Sequence, residues 1–274
     1  MDEEEIIGYE ALWASMMKCK AGVIWKDSVA TFFLNGVREI RKLSEELKNG
    51  TYKERPHRFF TVTSPKERRI MSISFRDRIY QRSLNDIVIY PEMVKHFIYD
   101  NGACQKGKGT KFARERMKCH LQRYWRKHGL DGWILKMDVK GYYPNMRHDV
   151  AKETFRRYLP ANVQARAEKL GEIGFALHRE KTRIIPLREG VMFLGFHFRL
   201  TETGKVILLI DSDRVAAERR KLKRMAQLVK AGKMTREKAD ECYRSWKAHA
   251  ENGNSWRLIR KMDRYYMSLW EDGV

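Results

Sequence analysis

The sequence predicts an α+β fold, and three observations predict it. Long stretches at both ends repeat apolar residues at helical spacing. The middle holds short β-rich runs bounded by Gly, Pro and Asn. Composition shifts near Asp211, after which the chain is helical and very basic.

Residues 6–49 read as helical, through Ile6, Ile7, Tyr9, Leu12 and Trp13, then Val29, Phe32, Phe33, Val37, Ile40, Leu43 and Leu47, with a stop at Asn49-Gly50. Residues 52–73 turn strand-like on either side of Ser64-Pro65-Lys66-Glu67, a hairpin with a basic tip. Residues 77–88 return to helix. A glycine-bearing loop over 101–110 precedes a helix to about His128, capped by Thr110 or a neighbour. The apolar run from Trp133 ends at Asp138 and leaves through Gly141 and Pro144, which predicts a buried strand over 133–138 with a carboxylate at its tip. Helices are expected near 147–158 and 163–175, and strands near 182–186, 190–200 and 206–210. Gly232 and Asn252-Gly253-Asn254 divide the C-terminal helices.

Hydrophobic residues make up 43% of the 274 and aromatics 11%, which places the chain among globular rather than disordered proteins. Lys+Arg number 56 against 35 Asp+Glu, a net +21 that favours polyanions, nucleic acid first. An anionic membrane surface would also attract it, but no apolar run has the roughly 18–20 residues that span a bilayer. The acidic start Met1-Asp2-Glu3-Glu4-Glu5 is unlike a secretion signal, and the four scattered cysteines form no CxxC pair. The expected location is cytoplasmic, with reduced thiols, no zinc site and no membrane partner.

Asp138 suits a divalent metal, because nucleotidyl transfer needs carboxylates that bridge two ions. It equally suits a strand-ending or turn-capping aspartate. Tyr143 is either a core aromatic or a wall beneath a sugar. Lys66, Arg68 and Arg69 are either a solvated turn or a triphosphate clamp. Lys106 and Lys108 lie in a loop whose backbone N–H groups suit phosphate, though GxxxxGK[ST] is not matched. Phe193-Leu194-Gly195-Phe196 reads as a strand whose Gly admits a close backbone, in a core or against a primer end. Lys181 is a surface lysine or an acid for a departing phosphate. Arg219, Lys221 and Lys223 form a basic helix face. With Trp246, Trp256, Tyr265, Tyr266 and Trp270 it becomes a nucleic-acid surface, unless those aromatics are helix-packing core. Asp211 and Asp213 read best as a helix N-cap.

Taken in order, these segments resemble a bacterial reverse transcriptase of the branch that includes diversity-generating retroelement, retron and group II intron enzymes. Arg68-Arg69-Ile70 through Ser74-Phe75-Arg76-Asp77-Arg78-Ile79-Tyr80-Gln81 matches the fingers motif. Ala103 to Gly109 matches the following loop, and Asp138 to Asn145 matches palm motif A. Leu177 to Thr182 is similar to motif D, and Phe193 to Phe196 to the primer grip. The resemblance spans roughly residues 25–270 in one collinear order.

It implies a right-hand polymerase fold: N-terminal helices and fingers over 1–130, a shortened palm over 131–210 and a basic helical thumb over 211–274. RNA template and DNA primer are the implied partners, and magnesium the implied cofactor. Asp138, with the Val139 carbonyl, is the implied metal ligand, and Asp138 and Lys181 the catalytic pair. Lys66, Arg68, Arg69 and Tyr143 are implied to bind nucleotide. Nucleic acid is left to Lys106, Lys108, Phe193, Leu194, Gly195, Arg219, Lys221 and Lys223.

One departure is severe. No Asp-Asp pair occurs in the chain, and Tyr158-Leu159-Pro160 runs almost directly into Ala161-Asn162-Val163, where this family carries a helix and a Tyr-x-Asp-Asp hairpin. The expected chain is therefore a catalytically defective reverse transcriptase that binds magnesium weakly. The alternative is a non-catalytic RNA or primer–template binding protein, and a blander one is a basic helical protein with a protein partner. Glu168, Glu172 and Glu180 are the first acids downstream, the first two i to i+4 on an expected helix. A second chain completing the palm is a further implied partner.

Overall fold

A computed structural model describes residues 4–63, 67–140, 148–159, 176–177 and 181–271. The described helices are α1 Glu4–Ile7, α2 Tyr9–Lys20, α3 Asp27–Leu34, α4 Gly36–Lys48, α5 Phe75–Leu84, α6 Tyr90–Met93, α7 Thr110–His128, α8 His148–Tyr158, α9 Ser212–Lys230, α10 Arg236–Ala250 and α11 Trp256–Glu271. The strands are β1 Arg58–Val62, β2 Arg68–Ser72, β3 Trp133–Lys136, β4 Val139–Lys140, β5 Ala176–Leu177, β6 Arg183–Pro186, β7 Val191–Phe193, β8 Phe196–Leu200 and β9 Val206–Ile210. Mixed helix and strand is the expected α+β content. The chain divides into two compact units, Met1–Phe97 with Gly141–Phe175, and Ile98–Lys140 with Ala176–Val274. The sequence boundaries at 130 and 210 both fall inside the second unit.

In the first unit the helical spacing over 6–49 becomes four helices, because Gly8, the turn at Gly22 (φ +71°) and Asn35 interrupt it. Ile6, Ile7, Leu12, Met16, Ile40, Leu43, Ile79 and Leu84 form its dry core. Each such side chain contributes about 1.5–3 kcal/mol by leaving water. Short α1 cannot satisfy its own C-terminal carbonyls. Ser83 Oγ donates to the Ile6 carbonyl at 2.6 Å and Ser44 Oγ to that of Ile7 at 2.7 Å, so two buried serines close it. The stop at Asn49-Gly50 is where it was expected, with Gly50 at φ +69°. Strands β1 and β2 pair antiparallel, Arg58↔Ser72 through Val62↔Arg68, while Ser64, Pro65 and Lys66 lie outside the described residues.

Helix α5 begins two residues before the sequence expectation, since Ser74 caps it by accepting the Asp77 N–H at 3.1 Å. The Asp77 carboxylate, fully buried, accepts from Tyr52 Oη (2.8 Å), Arg55 N (3.1 Å) and Ser74 Oγ (2.6 Å). It thereby pins the approach to β1 onto α5. Buried charge is tolerated only when its lone pairs are met in this way.

In the second unit, β7-β8-β9 form an antiparallel meander whose inner face buries Phe196, Phe198, Leu200, Val206 and Leu208 beside Leu121 of α7. The expected strand over 190–200 is in fact this hairpin: Leu194 (φ +46°) and Gly195 (φ +89°) occupy the two left-handed positions of a tight turn. Helices α9, α10 and α11 pack around Leu222, Tyr243, Met262 and Tyr266. Asp211 caps α9 by accepting the Asp213 and Arg214 N–H groups, as its sequence position indicated. The loop before α11 is pinned to the sheet, because Asn254 exchanges two hydrogen bonds with Leu208 (2.8 and 2.9 Å). A Cβ at Gly253 would lie 2.6 Å from the Phe196 ring, so only glycine allows that approach.

Two expectations are corrected here. Of the expected caps, Thr110 or a neighbour, the neighbour Gly109 stands at the cap of α7, with no side-chain hydrogen bond, and Thr110 is the first helical residue. The expected strand over 133–138 ends at Lys136, because among the described residues β3 pairs with β6 alone, over Trp133↔Pro186 to Lys136↔Arg183, and the chain then transfers to the β4–β5 pair. Nor is that strand buried. Ile134 and Ile185 join the core, while Trp133, Leu135, Met137 and Ile184 are exposed, since a two-stranded sheet packed on one face leaves the other open. The helix expected over 163–175, with Glu168 and Glu172, lies outside the described residues.

Candidate nucleic-acid interface and the Asp138 cleft

Asp138 sits at the break between β3 and β4, where the chain changes pairing partner. Its Oδ2 is 3.3 Å from Lys181 Nζ, with both side chains substantially exposed. The two implied catalytic residues are thus brought together, as an ion pair. Around them opens a cleft of about 710 Å³, lined among others by Lys136, Arg183, Glu189 and His197. Register explains the convergence: Lys136 and Arg183 are cross-strand partners on β3 and β6.

The implied magnesium pair does not fit this donor set. Magnesium wants several hard oxygens at short range and repels ammonium and guanidinium groups. Asp138 already faces one ammonium, and the described residues that line the cleft include three cations and two carboxylates. Among the described residues no three His, Cys, Asp or Glu side chains group to hold a metal.

The other implied residues are scattered. Arg68 and Arg69 begin β2 in the first unit, and the Arg69 guanidinium lies 4.7 Å from the Phe59 ring centre. Lys66 and Tyr143 lie outside the described residues. Lys108 is turned inward: its Nζ donates to the Tyr99 carbonyl at 2.6 Å and sits over the Tyr99 and Phe112 rings. Lys106 is on the exposed part of the same loop. Phe193, Leu194 and Gly195 form the β7–β8 turn, with Leu194 presented at its tip. A non-glycine residue at positive φ costs about 1–2 kcal/mol, so that leucine is held in a strained backbone. Beneath it His249 stacks on Phe196 at 4.7 Å. Burial, then Arg114 and Arg214, hold the His249 imidazole below the ordinary histidine range.

On α9 the three implied cations differ. Arg219 Nε donates to Met262 Sδ and its guanidinium lies over Tyr265, so it helps to tie α9 to α11. Lys221 pairs with Glu218 at 3.2 Å. Lys223 points to solvent beside Arg220 and Arg224. Of the aromatics, Tyr266 is buried and Trp246 and Trp270 pack against the same core, as the core reading of them allowed.

A surface that the sequence named only through its aromatics, without the cations around Trp256, lies on α11. Trp256 is 65% exposed, and Arg257, Arg260, Lys261 and Arg264 are exposed around it. Trp256, Arg260 and Arg264 follow one another at i, i+4, and the Arg260 guanidinium lies 4.9 Å from the Trp256 ring centre. Met262 and Tyr266 face inward on the opposite side. That spacing was visible in the sequence once the helix was placed. Chemically the face offers four cations and one open π-surface, the combination that binds phosphates and stacks a base.

No protein-family model matches the chain, and no curated protein matches it.

Proposed function

We propose that this chain is a reverse-transcriptase-type polypeptide that binds RNA and primer–template without performing nucleotidyl transfer. The observation that carries the binding is the α11 face, an exposed Trp256 set among Arg257, Arg260, Lys261 and Arg264. Supporting it are the +21 charge and the exposed Arg68–Arg69 start of β2. On this reading the first unit carries the fingers and the second the shortened palm and the thumb, with RNA template and DNA primer as partners in the cytoplasm. The absence of chemistry rests on the sequence, which has no Asp-Asp pair to face Asp138. One carboxylate supplies too few hard oxygens to hold two magnesium ions well. A second chain that completes the palm is part of the proposal.

Fluorescence anisotropy with a labelled RNA–DNA duplex tests the binding at two salt concentrations. For about six phosphate contacts the affinity is expected to fall roughly a thousandfold between about 50 and 200 mM salt. Affinity indifferent to salt, or none at low salt, would overturn the reading.

A further inference from the structure

The β3–β6 pair has one face packed on the core and one face open, and the open face is apolar too. Side chains alternate along a strand, so Trp133 and Leu135 share a face. Register sets Ile184 beside Leu135 and Pro186 beside Trp133 on that same face. Ile134 and Ile185, on the other, join the core. Yet Trp133 is 68% exposed, Leu135 58% and Ile184 68%, and Met137, one residue past the strand, is 60% exposed. Strands that are apolar on both faces belong to sheets covered on both faces. Side by side, these side chains make a patch on the order of 300–600 Å², the scale at which exposed apolar surface marks an interaction site.

We propose that this face packs against the same face of a second copy of the chain, sheet on sheet about a two-fold axis. None of Trp133, Leu135, Ile184 and Pro186 is charged, so the face has nothing to offer the phosphates of nucleic acid or the carboxylates of an acidic partner. A flat apolar surface is complementary to itself, and a two-fold axis sets like against like. Two such faces together bury about 1,000 Å², the lower limit of a specific interface, which gives a weak and reversible dimer. Net charge works against the pairing, since two copies at +21 repel. Salt screens that repulsion, over a Debye length of about 10 Å at 0.1 M, and leaves apolar burial intact. Dimerisation therefore strengthens with salt, the opposite sign from duplex binding. The inference stands apart from the nucleic-acid reading, which uses other residues.

Sedimentation velocity of nucleic-acid-free protein over a concentration series, at about 100 and 500 mM salt, tests it. A reversible monomer–dimer equilibrium is expected, tighter at the higher salt. Leu135→Glu is expected to leave a monomer, because each dimer would bury two unpaired carboxylates. Ile184→Thr, which suits a strand, is expected to weaken the dimer about tenfold through lost apolar burial in both copies. Circular dichroism of both variants is expected to match the parent, since the replaced side chains are exposed in the single chain. If Leu135→Glu does not fold, Ile184→Thr decides. Leu34→Glu, at an 84% exposed leucine of the first unit, is expected to change nothing. One monomeric species throughout would overturn the proposal. So would a dimer that survives Leu135→Glu and Ile184→Thr, one that Leu34→Glu also dissolves, or one that salt dissociates. Absence of duplex binding with the dimer intact would sink the nucleic-acid reading alone.

Discussion

His249 shows how much one side chain under a turn can decide. It stacks under Phe196, and a Cβ at Gly195 would come within 3.0 Å of its Nε2, so the β7–β8 turn rests on it. Its folded-state pKa lies below the ordinary value, chiefly through burial and then through Arg114 and Arg214. The unfolded chain therefore binds a proton that the folded chain resists. Stability is complete above about pH 6.5 and is lost as pH falls below it. Urea unfolding at about pH 7.5, 6.5 and 5.5 is expected to show this decline, and His249→Gln to flatten it. An unchanged slope in that variant would contradict the assignment. Nothing in the sequence singled out His249, because its role depends on contacts with residues far along the chain. Asp138 and Lys181 were legible as a pair, but their direct ion pairing was not.

At the scale of elements, the pattern carried most of the boundaries. The breaks at Asn49-Gly50, Gly232 and Asn252-Gly253-Asn254 and the Asp211 cap stand where local chemistry put them. Local chemistry failed where tertiary pairing decides. The apolar run at Trp133 reads as a buried strand, yet among the described residues β3 has one partner and one covered face, which no periodicity reveals. Phe193 to Phe196 reads as continuous strand because leucine rarely takes positive φ. The α11 face makes the sharpest demand on the functional reading. Trp256→Ala is expected to weaken duplex binding by about 1–3 kcal/mol, roughly the worth of one stacked base. Replacing Arg260 and Arg264 by Ala is expected to lower the salt slope by roughly 0.9 per lost phosphate contact. Both are read by anisotropy against salt. A variant without Trp256 that binds as tightly as the parent would remove this helix from the interface.

The whole molecule joins a strongly basic composition to one carboxylate, Asp138, at the position the proposed reading would make catalytic. Charge of this size attracts polyanions at long range whatever the details of the fold, whereas chemistry depends on a few ångströms at one place. The sequence made the first property plain and the second doubtful, since the missing Asp-Asp pair is visible at a glance. Among the described residues no helix is long and apolar enough to cross a membrane. The central claim is binding without synthesis, and a primer-extension assay with magnesium and all four deoxynucleotides tests it most directly. It is run at protein concentrations where anisotropy shows the primer–template bound. The expected result is a bound primer that does not lengthen, with Asp138→Ala indistinguishable from the parent. Extension by purified protein that Asp138→Ala abolishes would contradict it.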